Sequence, residues 1–321
     1  MSLVSKPYVS IIISNYNSGK LLLNYVSNII DTACTSDYEI IIVDNNSVDK
    51  SIDYVYDFIK RNNINHIKII KLDRNAGYVN AVNIGLRYAR GQYLVISNED
   101  VLIKTRCWDR LLLRCLQNEN VGICAPLKHS FYPRLLDGCG ACLSRFFIGY
   151  DLCFMQQSDT YQPVGVSLIP YPPGAFFAVK KDLIDRYILN PLLYMYYDDV
   201  EIGLRTYAQG KIVVYTDFIV VAHKRGTVGI KPLAYYLSRR NHILVALLYG
   251  NKLALLFALI YTLASGVFAS FIRRNRYMTL YAVYAMRNAL RVFKSYGRKF
   301  KKYSYIYSKK CSLIMYLSQY V

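Results

Sequence analysis

The chain has 321 residues, 54% of them apolar and only 19% charged, so it can bury a large core and is not a disordered chain. Its net charge of +19 is unevenly spread: Asp217 is the last acidic residue, and residues 218–321 hold 18 of the 40 Lys and Arg. A front half with 22 basic and 21 acidic groups is therefore followed by a basic rear, whose natural partners are nucleic acid or an anionic lipid surface.

Residues 1–7 lack the pattern of a signal peptide, which predicts a cytoplasmic front half. Residues 8–14 (YVSIIIS) are β-branched and apolar and predict a fully buried strand. Turn chemistry follows at residues 15–20, then a helix over 21–32. A second strand is predicted at 39–43 and a helix at 51–61, then a strand at 67–72, a helix at 77–89 and a strand at 93–96. This alternation predicts an α/β fold with a mostly parallel, doubly wound sheet, in which ligands gather at the carboxyl ends of the strands. The polar clusters after Ser14, Val43 and Ile96 all fall at such ends.

Beyond a helix at 107–117, residues 121–180 read as short strands and loops. A helix is expected at 198–208 and two strands at 211–215 and 218–222. Eight cysteines are scattered without a framework; Cys139 and Cys142 form the one C-x-x-C, and incidental thiols are the expected reading. Residues 253–272 are 20 uncharged residues, long enough for a transmembrane helix, with Arg273, Arg274 and Arg276 behind them. One crossing would export a tail of 12 Lys or Arg, against the positive-inside tendency, so a re-entrant or interfacial arrangement is favoured over a span.

Four groups of residues carry candidate chemistry. Asn98-Glu99-Asp100 ends a buried strand, where a carboxylate either holds a divalent cation or caps a helix. Asp198 and Asp199 open a helix, with Glu201 close behind. They either serve its N-terminal dipole or supply a general base. His223 follows an apolar strand and suits either a structural role or a cation ligand. Asn75, Gly77, Asn83 and Gly85 stand at a strand-to-helix turn, where glycine admits a diphosphate or simply close helix packing.

Their order along the chain resembles the inverting family 2 glycosyltransferases of the GT-A fold, especially the rhamnosyltransferase-like branch. The matching pieces are residues 9–17 (VSIIISNYN), 42–49 (IVDNNSVD), Asn75-Ala76-Gly77 with Asn83-Ile84-Gly85, 91–100 (GQYLVISNED), 197–205 (YDDVEIGLR), His223 and Arg240-Asn241. The resemblance implies a catalytic domain over 1–245 and a basic, apolar, membrane-associated helical region over 246–321. It also implies that the Tyr16 and Asp44 regions hold the nucleotide base, that Asn75, Gly77 and Asn83 border the ribose and diphosphate, and that Ser14 and Asn98 take part in donor binding. Arg240 would meet the departing charge. Asp100 and His223 would hold Mg2+ or Mn2+, and Asp199 would be the catalytic base. Two departures stand out: Asn98 occupies the first acidic position of the DXD-like motif, and residues 187–196 (YILNPLLYMY) lack the usual Gly-Phe-Asp-Glu loop.

The resemblance therefore predicts metal-dependent hexosyl transfer from a UDP-, dTDP- or GDP-linked donor to a lipid-linked or glycan acceptor at the cytoplasmic face of a membrane, with a homodimer through the rear helices compatible with the sequence. A nucleotidyltransferase would place a glycine-rich basic loop after the first strand, where residues 15–20 hold one glycine. An inactive nucleotide-sugar-binding scaffold would have no need of Asp100, Asp199 and His223 together. A nucleic-acid-binding protein leaves the uncharged 20-residue run unexplained, and no nucleic-acid-binding motif is present.

Overall fold

The computed structural model describes residues 8–35, 37–224, 232–272 and 277–296. The expected lead at 1–7, Arg225 and Gly226, the arginines at 273, 274 and 276 and the basic tail from 297 lie outside the described residues.

In the front half β1 (Val9–Asn15), α1 (Lys20–Thr32), β2 (Tyr38–Asp44), α2 (Ser51–Asn62), β3 (Ile67–Lys71), α3 (Tyr78–Leu86) and β4 (Tyr93–Asn98) alternate. Next come β5 (Val101–Ile103), α4 (Trp108–Gln117), β6 (Val121–Ser130), β7 (Leu136–Gly138), β8 (Ala141–Leu143), β9 (Gly149–Asp151), β10 (Val166–Leu168) and β11 (Phe176–Lys180). The chain continues through α5 (Asp198–Ala208), β12 (Ile212–His223), α6 (Pro232–Tyr249), α7 (Lys252–Ile272) and α8 (Tyr277–Tyr296).

Successive side chains of a strand point to opposite faces, and the isoleucines of β1 show why the sheet is covered on both. Ile11 and Ile13 pack with Leu22, Tyr25 and Val26 of α1, whereas Ile12 packs with Val79 and Val82 of α3. Each fully buried Ile adds about 1.5–3 kcal/mol.

Ten strands form one sheet in the order β10-β12-β6-β11-β4-β1-β2-β3, with β5 on β12 and β7 on β6. The strands β3, β2, β1 and β4 are parallel, as expected. The second half corrects the mostly parallel expectation: β11 runs antiparallel to both β4 and β6, and the sheet is mixed. The two strands expected at 211–215 and 218–222 are one strand, β12, with an irregularity between Thr216 and Val220.

Four of the cysteines are paired, which corrects the expectation of unpaired thiols at these positions. Cys34 is bonded to Cys107, tying the end of α1 to the start of α4, and Cys139 is bonded to Cys153. The β8–β9 hairpin returns the chain so that Cys153 reaches Cys139, while Cys142 stays a buried thiol. The C-x-x-C spacing therefore has no chemistry of its own.

Helix α6 was not apparent in the sequence, and it runs unbroken through the expected 245/246 boundary. Ile243, Leu244, Val245 and Leu248 belong to the same core cluster as the sheet, which is why the chain does not part there.

Helix α7 is long and apolar enough to cross a membrane, by length and composition. It buries its small residues and exposes its large ones. Ala254, Ala258, Thr262 and Gly266 recur every four residues and are buried, while Leu256, Ile260, Val267, Phe268 and Phe271 face outward. The seam of α8 is also small, with Ala282, Ala285 and Ala289 fully buried. A Cβ at Gly266 would lie 2.6 Å from the Cβ of Ala282. Close approach through small residues, with bulky apolar side chains outside, is how helices pack in lipid and is the reverse of a water-exposed amphipathic helix.

Candidate active site

A cleft of about 1060 Å3 opens at the carboxyl ends of β1 and β4. Parallel register aligns those ends, with Ser14 opposite Asn98, and both residues line the cleft. Tyr16 and Asn75 line it from the following loops. Asp199 and His223 line its other walls.

His223 reaches the cleft because β12 pairs with β5 in a register that sets it opposite Val101, one residue beyond Asp100. The His223 Nε2 lies 3.6 Å from Asp100 Oδ1. The other ring nitrogen, Nδ1, lies 2.8 Å from Asp137 Oδ2. With Nδ1–H donating to Asp137, the Nε2 lone pair faces Asp100. A carboxylate behind a histidine in this way sets its tautomer and makes it a better ligand. Asp100 Oδ1 is buried and has no hydrogen-bond partner among the described residues. A buried acceptor left so is costly unless something positive meets it. The Asp100 carboxyl is raised above its ordinary range, first by burial.

These features fit a divalent cation held at one edge by Asp100 and His223. No group of three His, Cys, Asp or Glu side chains suited to a metal occurs among the described residues. Two protein ligands leave room for phosphate oxygens and water, as hard cations in phosphate sites require.

Behind the histidine lies a network that the sequence reading missed. Lys128 sits on β6, is 2% exposed, and has its Nζ 3.7 Å from both Asp137 Oδ2 and Asp151 Oδ2. The same Nζ donates to the Gly174 carbonyl at 3.4 Å. A lysine inside the otherwise apolar run VGICAPLKHS was the available signal, since a buried charge needs partners. Asp137 and Asp151 had none, because they fall in a stretch read only as short strands and loops.

Asp199 begins α5. Its Oδ1 accepts from the Val200 N–H at 2.8 Å and its Oδ2 from the Gly174 N–H at 3.3 Å. Burial pushes its carboxyl up to about 6, with Asp151 raising it further and Lys128 opposing. Its neighbour Asp198 is pushed up to about 8 by burial and by Asp199. Burial raises both carboxyls, which moves them towards the neutral range where a proton can be exchanged. Glu99 also lines the cleft, its carboxyl raised to about 7 by burial. Glu201 turns inward to Arg205 at 3.3 Å and to Tyr249 Oη at 2.8 Å, and is a structural anchor.

Four residues expected around the donor do other work. Asp44 is buried and accepts from Asn15 Nδ2 at 2.8 Å, so its neighbour Asn45 lines the cleft instead. Asn83 donates to the Leu189 carbonyl at 2.7 Å and accepts from the N–H groups of Ile188 and Leu189, which ties its amide to that loop. Gly77 has φ 85°, and a Cβ there would strike the Tyr194 ring at 2.3 Å. It makes room for a side chain that lines the cleft. Arg240 donates to the carbonyls of Leu192 and Leu193, both at 2.8 Å, rather than facing the cleft.

Next to it Asn241, fully buried, reaches the carbonyls of Leu193, Met195 and Tyr196 at 2.7–2.9 Å. That loop leads directly to Asp198 and holds Tyr194, Tyr196 and Tyr197 at positive φ. Three non-glycine residues in this region are strained and need such anchoring. The expected loop differing at 187–196 is therefore a tyrosine-rich wall fastened to α6.

Residues 10–142 match the family model described as glycosyl transferase family 2. The chain is similar to the glycosyltransferase GlyG of Streptococcus pneumoniae serotype 4, 29% identical over 96 residues, 30% of this chain and 31% of that protein. It is also similar to a dolichyl-phosphate beta-glucosyltransferase of Mus musculus, 28% identical over 99 residues, 29% of this chain and 31% of that protein. The matched regions thus span under a third of these relatives' length. Among solved structures, the mannosyltransferase PcManGT from Pyrobaculum calidifontis, in complex with GDP-Man and Mn2+, shares the fold with a TM-score of 0.58 at 18% identity. That match covers 89% of this chain and 88% of that one.

Proposed function

We propose that this chain, whose residues 10–142 match the family 2 glycosyl transferases, moves a hexose from a nucleotide-diphosphate donor to a hydroxyl of a membrane-associated acceptor. The observation that carries this reading is that Asp199 and His223 line one cleft, with the Asp100 carboxylate 3.6 Å from His223 Nε2.

In this reading Ser14, Tyr16, Asn75 and Asn98 border the nucleotide, and Asp100 and His223 hold Mg2+ or Mn2+. The Mn2+ in the PcManGT complex supports such a cation. When bound, it neutralises charge on the donor's diphosphate. Asp137, 2.8 Å from Nδ1, holds the ring so that Nε2 is aimed at the cation. Asp199 takes the proton of the acceptor hydroxyl. The hydroxyl oxygen attacks the anomeric carbon, the bond from that carbon to the diphosphate oxygen breaks, and its electron pair leaves with the nucleoside diphosphate. Attack opposite the leaving group inverts the centre in one displacement. The N–H groups of Val200 and Gly174, with a smaller effect from Lys128, favour the ionised form of Asp199 against the cost of burial.

A membrane-associated acceptor is supported by the large apolar residues on the outside of α7 and by the likeness to a dolichyl-phosphate beta-glucosyltransferase. The basic rear favours the cytoplasmic face.

The test is a screen of UDP-, GDP- and dTDP-sugars with Mg2+ or Mn2+ and membrane extract as acceptor, with Asp199→Asn as control. Metal-dependent transfer lost in the variant is the expected result. Absence of both binding and turnover with every donor would overturn the reading.

A further inference from the structure

The Cys139–Cys153 disulfide stands at the root of the network behind His223. Asp137 lies two residues before Cys139, and Asp151 two residues before Cys153. Both carboxylates meet the Lys128 Nζ at 3.7 Å, and Asp137 also holds His223 Nδ1 at 2.8 Å. One covalent bond therefore ties together the two short segments that carry the buried carboxylates.

Between the cysteines runs the β8–β9 hairpin, a two-stranded sheet separate from the ten-stranded one. Its strands have three residues each, and so short a hairpin is marginal in water by itself. The Cys139 N–H donates to the Leu152 carbonyl at 3.0 Å and the Leu152 N–H to the Gly140 carbonyl at 3.1 Å, beside the disulfide. Gly149, Tyr150, Asp151 and Phe154 line the cleft, so the hairpin is one of its walls.

A disulfide most often acts as a staple that restricts the unfolded chain. Cys34–Cys107 fits that role, since it joins α1 to α4 and neither cysteine lines the cleft. Cys139–Cys153 differs in what it fixes, namely the groups that orient a candidate cation ligand. Both of its cysteines are half-buried, which leaves the bond open to a small or protein dithiol.

We propose that Cys139–Cys153 is a redox-sensitive latch on the cation site. Closed, it keeps Asp137 and Asp151 on Lys128 and His223 aimed at Asp100. Opened, it frees the hairpin, and the site loses its hold on the cation. The reductant is a dithiol, the class that a reducing compartment supplies. One of its sulfurs attacks a cysteine sulfur and the Cys139–Cys153 bond breaks. Its second sulfur then displaces the first cysteine. Both cysteines end as thiols with the two protons of the dithiol, which leaves as a disulfide. The loss of the cation rests on the reading of Asp100 and His223 as its holders; the opening of the hairpin does not.

The test uses the full chain, oxidised or reduced with a dithiol that is then removed under nitrogen. Alkylation and mass spectrometry identify which bond has opened. Mn2+ binding is followed by electron paramagnetic resonance with UDP, GDP or dTDP present, and hydrogen exchange is read over residues 136–153. Reduction should weaken Mn2+ binding by about 10–100-fold, the range for losing the support behind a ligating histidine, and should speed exchange over the hairpin. Cys34→Ser/Cys107→Ser should respond as the parent does. Cys139→Ser/Cys153→Ser should bind Mn2+ weakly with or without the dithiol, and the reduced parent gives the same answer should that variant not fold. Unchanged exchange over the hairpin, or a response lost in Cys34→Ser/Cys107→Ser, would overturn the proposal. Mn2+ bound equally in both states sinks the latch alone and leaves the glycosyltransferase reading standing. Mn2+ bound in neither state counts against that reading of the cleft and overturns the latch with it.

Discussion

The Nδ1 of His223 lies 2.8 Å from Asp137 Oδ2, across 86 residues of sequence, and that contact aims the opposite nitrogen at Asp100. The carboxylate contributes nothing to the cleft surface directly. It decides which nitrogen of the histidine is available there.

Asp137→Asn therefore should weaken cation dependence more than donor recognition. Loss of a carboxylate behind a ligating histidine costs about 10–100-fold in metal affinity. Titrating Mn2+ against donor binding checks this, with the melting temperature read alongside because Asp137 also faces Lys128. An unchanged Mn2+ requirement would show that the tautomer is set elsewhere.

The activity should rise with pH through about 6 as Asp199 loses its proton, then level off. Stability should run the other way. The folded pKa lies above the ordinary 3.8, so this carboxyl's favourable contribution is complete below 3.8 and is lost as pH rises through about 6. Asp199→Asn should lower transfer by about 10²–10⁴-fold and should melt at a relatively higher temperature than the parent above pH 6. A pH–rate profile and melting curves at several pH values test both limbs.

Lys128→Met should destabilise the fold by about 3–5 kcal/mol, because it strands two carboxylates beside a 2% exposed position. Adding Asp151→Asn should recover part of the loss. Denaturant unfolding of the single and double variants measures it, and additive losses would argue against the pairing.

Asn241→Ala removes the amide that reaches three loop carbonyls and should cost about 1–3 kcal/mol. Since the loop ends at Asp198, kcat should fall as well. Donor affinity should change less than kcat if the loop mainly places Asp199.

Gly77→Ala and Gly19→Ala make a controlled comparison. Both have positive φ, but an added Cβ at Gly19 meets nothing within 4 Å, whereas at Gly77 it meets the Tyr194 ring. Gly19→Ala should cost only the conformational strain, about 1–2 kcal/mol. Gly77→Ala should cost more and should also disturb the cleft wall, visible as weaker nucleotide binding.

Much of the front half was legible in one dimension. The runs SIIIS, EIIIV and YLVIS set parallel strands, and polar residues at their carboxyl ends had to meet along one edge, because parallel neighbours share direction and register. Ser14, Asn98 and the vicinity of Asp100 follow from that alone, and so does the helix that begins at Asp198, with three acids in its first turn. The tertiary structure decided the rest. Whether Asp44, Asn83 and Arg240 face a ligand or another part of the chain depends on what packs over them, and no local pattern encodes that. Lys128, Asp137 and Asp151 converge from β6, β7 and β9 only after those strands have paired. Buried charge has to find its partner in three dimensions, because desolvation makes an isolated ion too costly to keep.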